Sequence, residues 1–149
     1  MTKYLLDTDI CILYLKGKYS LAQKCESVRY ENCYVSAVTI GELLFGAHNS
    51  DNYEKHRDDA QQVMQLATVL PIFDSLNVYG KEKARLRKAG TPIPEFDLLI
   101  GTTAVHHGMV LVTNNTKHMA RIEGIRLENW TRVEDSVFGG LGVHWLVGQ

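Results

Sequence analysis

Near the start of the chain the apolar run Tyr4-Leu5-Leu6 ends on an acid, Asp7. Such a run predicts a buried strand that carries a carboxylate to its C-terminal end. Apolar residues without alternation suit a strand covered on both faces, as in a parallel sheet. In an open α/β sheet, ligands collect in the crevice outside the carboxyl ends of the strands. Two more acids stand in equally apolar settings: Glu42 in Ile40-Gly41-Glu42-Leu43-Leu44, and Asp97 in Glu95-Phe96-Asp97-Leu98-Leu99-Ile100. Burying an unpaired charge costs several kcal/mol or more. Acids that converge on one cleft are stabilised when they share a divalent cation, and the arrangement becomes reactive. The pattern points to a metal-dependent hydrolase.

The order of elements supports the same cleft. Strands are expected at residues 3–7, 33–36, 69–73, 109–113 and 126–128, with Pro71 demoting the third to an edge. Helices are expected at residues 10–15 and 20–29, around the Ile40, Leu43, Leu44 and Ala47 spacing, and at residues 52–67, 75–89 and 97–107, the last ended by Gly108. Thr8 or Asp9 is expected to cap the first helix, and Ser36 or Thr39 the helix that carries Glu42. Alternating strands and helices imply an α/β fold: a three-layer α/β/α sandwich with a central, mostly parallel sheet. Asp7, Glu42, Asp97 and the segment Thr113-Asn114-Asn115 then reach one rim. Thr113 reads as a cap or water-positioning hydroxyl, and Thr39 as a cap that also supports the site.

The chain has 149 residues, the size of one domain. With a net charge of -1 it has no overall basic surplus, so any contact with nucleic acid needs a local patch. Arg85, Arg87, Lys88 and Lys117 are the candidate cations to meet a phosphodiester. Cys11, Cys25 and Cys33 form no C-x-x-C and suggest reduced thiols rather than a disulfide framework. No signal peptide is evident, and no run approaches the roughly 18 apolar residues of a membrane span. A cytoplasmic protein with no membrane contact is the expectation. The unit is expected to cover residues 1–134. Residues 135–149 are an apolar, glycine-rich tail with no place in the sheet and no assigned role.

Taken together, four stretches resemble the PIN-domain ribonucleases, and within them the VapC toxins of type II toxin–antitoxin pairs. They are Leu5-Leu6-Asp7-Thr8-Asp9-Ile10, Ser36-Ala37-Val38-Thr39-Ile40-Gly41-Glu42-Leu43, Ile93-Pro94-Glu95-Phe96-Asp97-Leu98-Leu99-Ile100 and Leu111-Val112-Thr113-Asn114-Asn115. Each motif is weak alone; their order and intervals make the resemblance specific over about residues 3 to 132. It implies a PIN-like sandwich, a Mg²⁺ or Mn²⁺ site, and Asp7, Glu42 and Asp97 as catalytic, metal-binding carboxylates. It implies hydrolysis of RNA, tRNA prominently, by water attack on phosphorus, leaving 5′-phosphate and 3′-hydroxyl ends. It also implies a VapB-type antitoxin in the cleft and a homodimer. Two positions depart from the family pattern. Asn115 stands where many members carry a fourth acid, and as an amide it still offers an oxygen to a metal. Asp9 stands where asparagine is frequent.

Two other readings compete. The triplet Asp7-Thr8-Asp9 after an apolar strand also resembles the nucleophile motif of haloacid-dehalogenase-type phosphatases, in which the first Asp attacks phosphorus. A PIN-like protein that binds RNA or antitoxin without cutting is the other.

Overall fold

The computed structural model describes residues 1–131. The expected tail 135–149 and the end of the expected unit at residue 134 lie outside the described residues. Among the described residues the core is a five-stranded sheet in the order β3-β2-β1-β4-β5, formed by β1 (Tyr4–Leu6), β2 (Cys33–Ser36), β3 (Thr68–Leu70), β4 (Val110–Val112) and β5 (Arg126–Glu128). Every pairing is parallel, so the mostly parallel expectation resolves to a wholly parallel sheet. β3 is an edge strand, and Pro71 follows it directly, where a missing N–H costs no ladder bond.

Side chains alternate across the strands and split the core into two layers. Leu6, Val35 and Val112 point to one face, with Ile10, Leu21, Cys25, Ile40 and Val63. Leu5 and Leu111 point to the other, with Leu86, Leu98, Ile100, Met119 and Ile122. The first layer is covered by α1 (Thr8–Leu15), α2 (Leu21–Val28) and α4 (Tyr53–Leu66), the second by α5 (Leu76–Lys88), α6 (Glu95–His107) and α7 (Thr116–Met119). α3 (Ala37–His48) contributes Ile40 to the first layer and sets Val38 against the second. This is the expected three-layer sandwich. α7 was not expected, because four residues are too few to show a helical period.

Gly108 ends α6 with φ of 65°, the left-handed cap conformation that favours glycine. Within α6, Gly101 is fully buried where α6 meets the residues after α7. A Cβ there would strike the Ile122 side chain and touch Met119 Sδ at 3.6 Å. Alanine is the better helix former by about 1 kcal/mol, while overpacking costs about 1–3 kcal/mol. Gly101→Ala is therefore expected to be net destabilising, read as a lower midpoint in urea unfolding. A midpoint at or above that of the wild type would mean that this packing is loose.

Candidate active site

The sheet order reverses direction at β1. The chain runs outward from β1 to β2 and β3, then returns to place β4 on the other side of β1. The carboxyl ends of β1 and β4 thus flank a topological switch point, the usual ligand crevice of such sheets. Leu6 pairs with Val112, so the next residue on each strand, Asp7 and Thr113, emerges side by side. The Asp7 N–H donates to the Val112 carbonyl at 2.9 Å and the Thr113 N–H to that of Glu128 at 3.0 Å, carrying the ladder to the rim.

Asp7 is 4% exposed and has two jobs. It caps α1, with Oδ1 accepting from the Thr8 N–H at 2.8 Å, so Asp7 rather than Thr8 or Asp9 is the cap. Its Oδ2 accepts from the Thr113 hydroxyl at 2.8 Å. Thr113 Oγ1 in turn accepts from the Asn115 N–H at 2.9 Å, and the Asn115 amide donates to Asp97 Oδ2 at 3.3 Å. Asp97 lies in the first turn of α6, where the helix dipole favours a negative charge. A continuous chain of bonds thus runs Asp7–Thr113–Asn115–Asp97.

Glu42 joins from the other side. Ser36 caps α3 by accepting from the Val38 N–H at 3.0 Å, which leaves Thr39 free for the site. The Thr8 hydroxyl donates to Glu42 Oε1 at 2.6 Å and lies 2.9 Å from the Thr39 hydroxyl. A hydroxyl has one proton, so Thr39 donates to Thr8 and Thr8 to Glu42. Glu42 is therefore wired to Asp7 through Thr8. Sequence reasoning assigned Thr8 only a capping role, because a single hydroxyl beside an acid has no motif of its own. It also passed over His118 on α7, whose charge favours the ionised form of Asp97.

The acids press on one another. Burial, then the charge of Asp9, pushes the Asp7 carboxyl up to about 7. The Thr113 and Thr8 bonds pull against that shift, and Asp97 adds to it. Asp9 is raised by burial, with the Asn114 and Ile10 N–H groups opposing and Asp97 adding. Burial also raises Asp97. Asp9 Oδ2 accepts from the Asn114 N–H at 3.0 Å, while its Oδ1 is buried with no hydrogen-bond partner. Crowded carboxylates and an orphaned oxygen are what a shared cation would relieve, and the all-oxygen donor set suits a hard divalent ion. Among the described residues no three His, Cys, Asp or Glu side chains form a ready-made ligand set. The donors therefore fit an open site with one or two carboxylates and several waters on the ion.

The cations expected to meet RNA divide into two groups. Arg85 grips Glu82, with Nε on Oε1 at 2.8 Å and Nη2 on Oε2 at 2.6 Å, and Nη2 also donates to the Arg121 carbonyl. Glu82 is buried and also accepts from the Glu123 N–H at 2.7 Å. Arg85 is thus a clamp between α5 and the segment after α7, not a free cation. The reason is Glu82, three residues before it on the same helix face. Arg87, Lys88 and Lys117 are exposed. His106 and His107 stack edge to face with centroids 4.9 Å apart and do not converge as a chelating pair.

The PIN domain family matches residues 4–125. The chain belongs to the PIN-domain family. Within it the chain sits among the VapC ribonucleases. It is 31% identical to the "tRNA(fMet)-specific endonuclease VapC" of Shigella flexneri over 88% of this chain and all of that one. It is 32% identical to "Ribonuclease VapC2" of Haemophilus influenzae strain Rd over 87% of this chain and 99% of the relative. The DNA-bound VapBC structure from Salmonella typhimurium superposes with a TM-score of 0.81 at 30% identity, over 87% of this chain and 99% of that chain. VapBC2 from Rickettsia felis, bound to a promoter DNA fragment, gives 0.80 at 28% identity, over 87% and 99%. PIN membership leaves the phosphatase reading of Asp7-Thr8-Asp9 without support. PIN-domain nucleases generally use a divalent metal, in keeping with the donor set above. No helix among the described residues is long and apolar enough to cross a membrane.

Two outcomes follow from the charges. Asp7 keeps its proton in the folded protein up to about pH 7 but loses it near 3.8 when unfolded. Between those values the folded state binds more protons, so stability falls as pH rises. Metal-free protein is therefore expected to lose stability over that window. Asp7→Asn, which keeps one carbonyl oxygen for the Thr8 N–H cap and can turn its amide N–H onto Thr113 Oγ1, should flatten the loss. Equal pH slopes in thermal melts of the two proteins would refute the burial of charge at Asp7. Glu82 behaves oppositely, because the Arg85 bonds hold its carboxyl below the usual value of 4.5. That stabilisation is present above about pH 4.5 and is lost as pH falls through the depressed value. Arg85→Ala should lower the melting temperature at neutral pH, with the gap to wild type narrowing as pH falls below about 4.5; a gap that does not narrow with acidity would assign the loss to packing instead.

Proposed function

We propose that this chain is the toxin of a type II toxin–antitoxin pair, a divalent-cation-dependent endoribonuclease with tRNA as its substrate class. The observation that carries this reading is the setting of Asp7, buried at the switch point and faced by the charges of Asp9 and Asp97. The relatives named as VapC ribonucleases supply the substrate class.

Asp7 and Asp97 are assigned as the carboxylates that hold the cation, with Asn115 beside Asp97 as a neutral contributor. Mg²⁺ is the assigned ion, with Mn²⁺ as a working substitute. When bound, the ion neutralises phosphate charge and lowers the pKa of a water. Thr113 orients Asp7 through its Oδ2 bond. Thr8, backed by Thr39, holds Glu42 by one oxygen and leaves Oε2 to take a proton from the attacking water. In-line attack on phosphorus leaves 5′-phosphate and 3′-hydroxyl ends. Exposed Arg87, Lys88 and Lys117 bind the RNA backbone, offsetting an acidic cleft on a chain with no overall positive charge. An RNA substrate places this work in the cytoplasm.

Two surfaces suit the protein partners. A groove of about 330 Å³ between α1, α3 and α4 is lined by Ile12, Leu15 and Leu43 together with Lys55, Asp59 and Glu42. A VapB-type antitoxin segment lying there would bury apolar surface and reach the catalytic acids. A second apolar face, which also borders Glu42, carries Phe45 at 69% and Phe96 at 53% exposure, beside Val38, Ile72 and Leu99. It is assigned to the homodimer, because exposed aromatic patches of this kind mark protein interfaces.

Purified, antitoxin-free protein should cut tRNA-enriched RNA into discrete fragments with Mg²⁺ or Mn²⁺, and EDTA should stop it. Asp7→Asn should abolish cleavage while its circular dichroism stays native. An unchanged rate in that variant would overturn the mechanism. A wild type that binds RNA and cation without cutting would move the reading to a binding protein.

A further inference from the structure

Asp9 has a use that helix capping does not explain. It lies in the first turn of α1, two residues after the cap, where a negative charge is favoured by the helix dipole. One of its oxygens is accounted for: Oδ2 takes the Asn114 N–H at 3.0 Å and pins the segment leaving β4 to the start of α1. The other, Oδ1, is buried without a partner. Native proteins rarely leave a buried carboxylate oxygen unpaired, because its desolvation goes uncompensated. The Ile10 N–H and the Thr113 hydroxyl lie close enough to oppose the upward shift of Asp9, but neither makes a well-formed hydrogen bond to Oδ1.

The surroundings say what would satisfy that oxygen. Asp9 carries its charge toward Asp7 and Asp97, which repel it. A neutral donor would settle Oδ1 but leave the repulsion; a cation settles both. Asn115, next to the Asn114 that Asp9 holds, presents its amide N–H to Asp97 and brings no charge. Glu42 is bonded to the Thr8 hydroxyl and does not figure among the charges acting on Asp7. The carboxylates whose charges act on one another here are therefore Asp7, Asp97 and Asp9.

We infer that Asp9 is a cation-binding residue of this site, holding the divalent ion, or a water on it, through Oδ1, and so supplying the negative charge that Asn115 does not. The inference rests on the proposed cation-dependent function and names a further residue of that site. It adds Asp9 to the donors of that open site, reaching the ion directly or through one of its waters, with Glu42 held by Thr8 at one side.

The test is Mn²⁺ binding to full-length, antitoxin-free protein by isothermal titration, with no substrate present. Asp9→Asn keeps a carbonyl oxygen for the Asn114 N–H and should weaken Mn²⁺ by about tenfold or more. Asn115→Asp places an acid beside Asp97. It should recover most of the lost affinity in the Asp9→Asn background and tighten binding less in the wild-type background, a coupling that a double-mutant cycle reads directly. If Asp9→Asn unfolds, Asp9→Ser serves as the second variant with the same expected loss. Unchanged Mn²⁺ affinity in a folded Asp9 variant, or equal gains from Asn115→Asp in both backgrounds, would overturn the assignment and leave Asp9 as a water-satisfied pin for Asn114. Failure of the wild type to bind Mn²⁺ at all would overturn the cation site itself, a result distinct from failure at Asp9 alone.

Discussion

The parallel pairing of β1 with β4 is the constraint on which the site depends. It joins residues 4–6 to residues 110–112, more than a hundred positions apart, and does so in the one register that places Asp7 beside Thr113. A slip of one residue would turn Leu5 and Leu111 out of their layer and carry Asp7 away from the rim. The two apolar layers therefore enforce the chemistry. Leu5 and Leu111 pack on one face and Leu6 and Val112 on the other, and only the aligned register satisfies both.

Around that pairing, hydroxyls do most of the positioning. Thr113 bridges Asp7 to the Asn115 backbone, and Thr8 bridges Glu42 to Thr39. A threonine hydroxyl gives one proton and takes others, so it can hold a carboxylate without neutralising it. The acids stay crowded as a result, and the Asp7 carboxyl is pushed up to about 7. That is unfavourable for the metal-free fold and favourable for holding a divalent ion, the usual tension between stability and activity at a catalytic centre. Elsewhere the molecule resolves its buried charge locally: Glu82 is closed off by Arg85 and a backbone N–H, with no oxygen left over.

Much of the fold was legible because its signals are local. The apolar runs at β1 and β4 marked buried strands, Pro71 marked an edge, and Gly108 marked a helix end. The acids Asp7, Glu42 and Asp97 stood out because each interrupts an apolar stretch. The four-residue α7 was not legible, since a single turn shows no period, and with it went His118. Arg85 looked like a free cation because sequence lists charges without saying which are already paired.

By itself the sequence determined the order of the strands and the longer helices, the α/β class, and which acids interrupt its apolar stretches. These follow from hydrophobic period, turn residues and the cost of burying charge, all of which act over a few neighbouring positions. The tertiary structure alone decided that Asp7 caps α1 and meets Thr113, that Glu42 is held through Thr8, that Arg85 is spent on Glu82, and that Asp9 keeps an unpartnered oxygen. Those outcomes depend on which distant hydroxyl, amide or carboxylate arrives within about 3 Å. That separation is set by strand register and helix packing, which no local pattern encodes.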